Sequence, residues 1–127
     1  MTAELFRLSD YYQKDKAAKE IAGILSNQNQ TRIMVEGLAG SRDSFLIYSS
    51  FLQSQKPYVL IASDKEDAAY LMNDLEQLML RNACSFFPDS FKRPLHFEEI
   101  DAFQVQQRME SLEQIGSGSA HLLVTYP

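Results

Sequence analysis

Short apolar runs rich in β-branched and aromatic residues alternate along this 127-residue chain with segments of helical period. No other feature constrains the fold as strongly. Four runs read as strands: Arg32–Glu36 (RIMVE), Tyr58–Ala62 (YVLIA), Ala83–Phe87 (ACSFF) and Leu122–Thr125 (LLVT). None alternates apolar with polar residues, so none has the pattern of a strand with one face in water. Such strands, separated by helices of ten or more residues, form a parallel sheet flanked by helices on both faces. Right-handed crossovers make it a doubly wound α/β layer.

The helical segments carry their own signals. From about Asp10 to Asn27, Ala17, Ala18, Ile21, Ala22 and Leu25 fall on one stripe, before the polar break Gln28-Asn29-Gln30. Ser44 to Gln53 is apolar nearly all round (Phe45, Leu46, Ile47, Tyr48, Phe51, Leu52), which predicts burial on more than one side. Ser63 with Glu66 has capping-box spacing, and Ala68, Leu71, Met72, Leu75, Leu78 and Met79 then hold helical register for three turns. Pro88-Asp89 stops the third strand. A loop with Lys92, Arg93 and Pro94 leads to a fourth helix from about Ala102 to Ile115, carrying Val105, Met109 and Leu112 and broken by Gly116–Ser119. No repeat, low-complexity tract or long linker divides residues 1–127, so the expectation is one domain.

Composition narrows the function classes. Lys and Arg number 12 against 17 Asp and Glu, a formal net charge of −5. A freestanding nucleic-acid binder carries a basic surplus to neutralise phosphates, and this chain has none. Cys84 is the only cysteine, which excludes an internal disulfide and every multi-cysteine metal framework. No apolar run approaches the ~20 residues that span a bilayer, and the N-terminal MTAELFRLSDYYQK lacks a signal-peptide core. A soluble, cytoplasmic protein is expected. HLLVTYP at the end reads as a buried strand where chains more often end in polar residues, so a piece of a larger protein is expected.

In parallel α/β layers, ligands sit where strands lead into helices. The first such junction runs from RIMVE through Gly37-Leu38-Ala39-Gly40-Ser41-Arg42-Asp43-Ser44 into a helix. On the phosphate-binding template G-x-x-x-x-G-K-[ST], Gly37 takes the first glycine position and Ser44 the Mg²⁺-binding hydroxyl. Arg42 stands at the second glycine and Asp43 at the lysine. The lysine brings positive charge to the β- and γ-phosphates, where a carboxylate repels them. Unit charges about 4 Å apart at a surface-like dielectric interact by about 4 kcal/mol. Reversing that sign removes most of a micromolar affinity, about 8 kcal/mol. The residues leave two readings open at this point: a degenerate phosphate loop, or a strand-to-helix turn that uses two glycines.

From Arg32 onward the chain resembles the opening domain of the bacterial transcription-repair coupling factor, itself similar to the first domain of the excision-repair helicase UvrB. The UvrB loop is G-x-x-G-S-G-K-T; here Gly37, Gly40, Ser41 and Ser44 match it while Arg42 and Asp43 replace its last glycine and lysine. Lys56–Met79 is similar to the family's second strand and helix, which reads like a helicase motif Ia region. Phe87-Pro88-Asp89 resembles its F-P-D turn, Gln107–Leu112 its R-x-x-x-L helix, and LLVTYP its next strand. The chain departs from the family at Ser90–Phe97, where an acidic residue and L-P-Y are usual, and it has nothing like UvrB's long aromatic hairpin.

The resemblance implies a P-loop or helicase-like layer with a degenerate Walker A and no catalytic, cofactor-binding or metal-binding residue of its own. It also implies a larger parent that translocates on DNA using ATP and Mg²⁺ in a downstream motor, displaces stalled RNA polymerase, and recruits UvrA through an adjacent domain. On that reading these residues are a non-catalytic scaffold. The alternative is a competent P-loop NTPase or helicase half-domain, and a third reading is a DNA-binding module.

Other candidates read blandly. His96 and His121 lack ligand spacing and are expected at the surface or in loops. Cys84 in ACSFF reads as a buried strand thiol. Glu98, Glu99 and Asp101 read as a solvated acidic cap on the fourth helix. Lys92-Arg93 with Phe91 and Phe97 reads as a basic loop tip, the one local patch that could touch DNA.

Overall fold

The computed structural model describes residues 3–27, 30–79, 83–89, 102–119 and 121–127. The N-terminal helical stretch is two helices, α1 (Ala3–Gln13) and α2 (Lys16–Ser26). The break comes at Asp15, an extended N-cap whose carboxylate accepts a hydrogen bond from the Ala18 amide at 3.1 Å. A single helix from Asp10 was expected; the capping aspartate divides it. Ala18 and Ala22 of the expected stripe are buried, whereas Ala17 is exposed.

Helix α3 (Arg42–Ser54) lies between α1 and α2 on one side and α4 (Lys65–Leu78) on another. That position is why its sequence is apolar nearly all round. Tyr12 of α1 stacks on Phe45 at 5.0 Å between centroids. Lys56, just after α3, donates to the carbonyls of Leu25 and Ser26 at 2.9 Å each and so caps the C-terminal end of α2. Asp64, not Ser63, is the N-cap of α4, accepting from the Asp67 amide at 2.9 Å, while the Ser63 hydroxyl bonds the Asp67 carboxylate.

Three strands, β1 (Tyr58–Ile61), β2 (Cys84–Phe86) and β3 (Leu122–Thr125), form a parallel sheet in the order β1-β3-β2. Tyr58 pairs with Leu122 and Ile61 with Thr125, while Cys84 pairs with Leu122 on the other side of β3. The central position of β3 explains its unbroken burial over Leu122, Leu123 and Val124. One face of the sheet packs with Phe51 of α3 and Ala68 and Leu75 of α4 into the core, joined at its margin by Tyr58, Leu60 and Phe86. On the other face Val59 and Ile61 of β1 are exposed, so the two-sided cover expected from the sequence is incomplete at this edge.

The sharpest departure lies upstream. Arg32–Glu36 forms no strand: residues 30–39 have no regular secondary structure, and Ile33, Met34 and Val35 are exposed. An apolar run becomes a strand only where a neighbour supplies hydrogen bonds and cover, and none among the described residues does so here. The remaining helix, α5 (Ala102–Gly116), lies against β2, with the Ser111 hydroxyl donating to the Phe86 carbonyl at 3.1 Å. No helix among the described residues is long and apolar enough to cross a membrane.

Candidate functional site

Gly40, Ser41, Asp43 and Ser44 of the loop and the carboxyl end of β1 face one cavity of about 690 Å³. Gly37 and Gly40 have φ of +80° and +62°, a left-handed backbone that disfavours any side chain. Space is not the reason for glycine there, because a Cβ at either position would meet nothing within 4 Å. The turn itself demands these glycines.

At the head of α3 the charge pattern is inverted relative to a phosphate site. Helix N-termini attract anions because their amides have no intrahelical partner. Here Asp43 supplies the anion: its carboxylate accepts from the Ser44 amide at 2.7 Å. Ser44, 1% exposed, directs its hydroxyl to Asp74 of α4 at 3.1 Å; the second acceptor, Asp43, is farther at 3.4 Å. Asp67, Tyr70, Leu71 and Asp74 line the cavity from one face of α4, at the i, i+3, i+4, i+7 spacing. With Asp43 the lining holds three carboxylates, and no Lys or Arg among the described residues joins them. Ile47, Val59 and Ile61 add an apolar wall.

The sequence therefore located the loop but missed its partners on α4. Their signal was the 67/70/71/74 helical face directly after a strand end. Of the other candidates, Cys84 is buried as expected; burial, with Glu76 nearby, pushes its thiol up to about 12. His121 is corrected: it is buried, not at the surface. Its Nε2 lies 2.6 Å from the Ser85 hydroxyl, and burial lowers its pKa below 6.5. At the start of the sheet its backbone carbonyl accepts from the Tyr58 amide at 2.9 Å. His96, Glu98, Glu99, Asp101, Lys92, Arg93, Phe91 and Phe97 lie outside the described residues. The F-P-D turn is held by Arg108 of α5, which donates to the Pro88 carbonyl at 2.9 Å and lies 4.3 Å over the Phe87 ring. No group of His, Cys, Asp and Glu among the described residues is arranged to hold a metal ion.

Two known proteins are similar to this chain in sequence. UvrABC system protein B of Mycoplasma genitalium is 33% identical over 87 residues, which cover 68% of this chain and 13% of that protein. The transcription-repair-coupling factor of Staphylococcus haemolyticus is 34% identical over 70 residues, 55% of this chain and 6% of that protein. The chain thus matches only a small part of either relative's length. No family model matches it, and no solved structure gives a significant match. By its sequence relatives the chain is thus similar to UvrB over about two thirds of its length, and to a transcription-repair-coupling factor over about half of it.

Proposed function

We propose that the chain is a non-catalytic, UvrB-like scaffold domain of a DNA-repair protein, a helicase-like layer whose Walker A loop has become degenerate. The observation that carries this reading is Asp43. Its carboxylate accepts from the Ser44 amide in the first turn of α3, a donor of the kind that a nucleotide-binding loop turns toward phosphate. Ser44 supports it, since the hydroxyl that would meet Mg²⁺ is buried and bonded to Asp74. A triphosphate entering the cavity would meet Asp43, Asp67 and Asp74 together. In a longer parent resembling the coupling factor, ATP and Mg²⁺ would act in a separate motor, and RNA polymerase, DNA and UvrA would be met by other domains. This domain would support them.

The alternative, a competent P-loop NTPase half-domain, draws on the two left-handed glycines and on Ser44. Calorimetry with Mg–ATP separates the two. The scaffold reading expects no binding at millimolar nucleotide. Micromolar binding, or hydrolysis abolished by Ser44→Ala, would establish the alternative.

A further inference from the structure

Helix α5 is turned inside out. The side chains it directs toward the rest of the molecule are polar: Gln104, Gln107, Arg108, Ser111 and Gln114, at i, i+3, i+4, i+7 and i+10, are buried or half-buried. Two of them are anchored to β2 and the turn after it, Ser111 through the Phe86 carbonyl and Arg108 through the Pro88 carbonyl. The Gln114 side-chain oxygen is buried without a hydrogen-bond partner among the described residues. The apolar residues face outward instead: Val105, Met109 and Leu112, at i, i+4 and i+7, are 44%, 59% and 57% exposed. An amphipathic helix in a finished globular surface has the opposite arrangement. Scattered exposed apolar residues need no explanation, but a contiguous helical stripe over a polar inner face marks an interaction surface.

We propose that this stripe is a docking surface for a basic amphipathic helix of a partner protein. Charge selects the occupant. Glu113 and Glu110 border the stripe on one side, both exposed, on a chain of net charge −5. A second copy packed through its own α5 would bring these glutamates against like charges. A helix with apolar side chains at i, i+3, i+4 and i+7 and lysines or arginines beside them fills the stripe and pairs the glutamates. This is the helix-in-groove mode of recognition.

The probe is a fluorescein-labelled 14-residue Leu/Lys amphipathic peptide, titrated with the whole chain and read by anisotropy. A Leu/Glu peptide of the same pattern serves as its counterpart. The expected result is saturable binding of the Leu/Lys peptide and none of the Leu/Glu peptide. Leu112→Lys and Met109→Lys should weaken that binding at least tenfold, and Glu110→Lys combined with Glu113→Lys severalfold. All of these positions are exposed, so circular dichroism and Tm should stay unchanged and show that the variants are folded. Absence of saturable binding would overturn the proposal, as would equal binding by both peptides or by Leu112→Lys. Sedimentation showing a dimer that Leu112→Lys dissociates would overturn it in favour of a second copy.

Discussion

Replacing Ser44 by alanine removes the hydrogen bond that ties the first turn of α3 to the middle of α4, two elements 30 residues apart in sequence. A hydrogen bond to a charged acceptor contributes about 1.5–3 kcal/mol when both groups are sequestered. The Ser44 hydroxyl is sequestered, but Asp74 is half-buried beside an open cavity, so water can replace the lost donor. That moves the expected loss to the lower end, about 1–1.5 kcal/mol, or ~4–6 °C in Tm for a domain of this size. Urea unfolding of the wild type, Ser44→Ala, Asp74→Ala and the double variant measures the coupling directly. The double variant should lose scarcely more than either single one, giving a coupling of about 1 kcal/mol. Asp74→Asn, which keeps an acceptor oxygen, should fall between wild type and Asp74→Ala. Losses that simply add, within ~0.4 kcal/mol, would refute the claim that this hydroxyl is committed to Asp74.

Leu75, fully buried between the sheet and α3, should cost about 2–5 kcal/mol as Leu75→Ala in the same assay. Ser49 is equally buried, yet its hydroxyl finds no partner among the described residues, so Ser49→Ala should be neutral or stabilising by up to ~1–2 kcal/mol. His121 sets a pH dependence. Its folded pKa lies below the unfolded 6.5, so its contribution is complete above pH 6.5 and is lost as pH falls from 6.5 through the folded value. Urea midpoints at pH 7.5 and 5.5 should therefore differ more for the wild type than for His121→Gln.

Much of the architecture was legible because local and tertiary preferences agree. The residues of α4 hold one stripe, and that stripe is what the sheet covers. Tyr58–Ile61 and Leu122–Thr125 emerge as strands because the parallel ladder gives each a partner. Arg32–Glu36 has the same kind of composition but no strand partner among the described residues, and propensity alone did not make it a strand. Asp15 shows the other limit: a capping aspartate inside a helical pattern ends one helix and begins the next. His121 was misplaced because its burial depends on Ser85, 36 residues away, which no local pattern reports. At the candidate site, the inversion of charge at Asp43 was visible in the loop. The further carboxylates Asp67 and Asp74 were not, because only the packing of α4 beside β1 brings them there. Helix α5 carried an apolar pattern that sequence alone would place inward, and bonds from Ser111 and Arg108 turned its polar face there instead.

On the proposed reading, Asp43 occupies the head of α3 in place of nucleotide phosphate. Isothermal titration of Mg–ATP into the wild-type chain tests it most directly, beside the Arg42→Gly/Asp43→Lys variant that restores the template. The expected result is no heat of binding for the wild type at millimolar nucleotide, and a gain in affinity for the variant. Micromolar binding by the wild type, with no gain in the variant, is the opposite result and would overturn that reading.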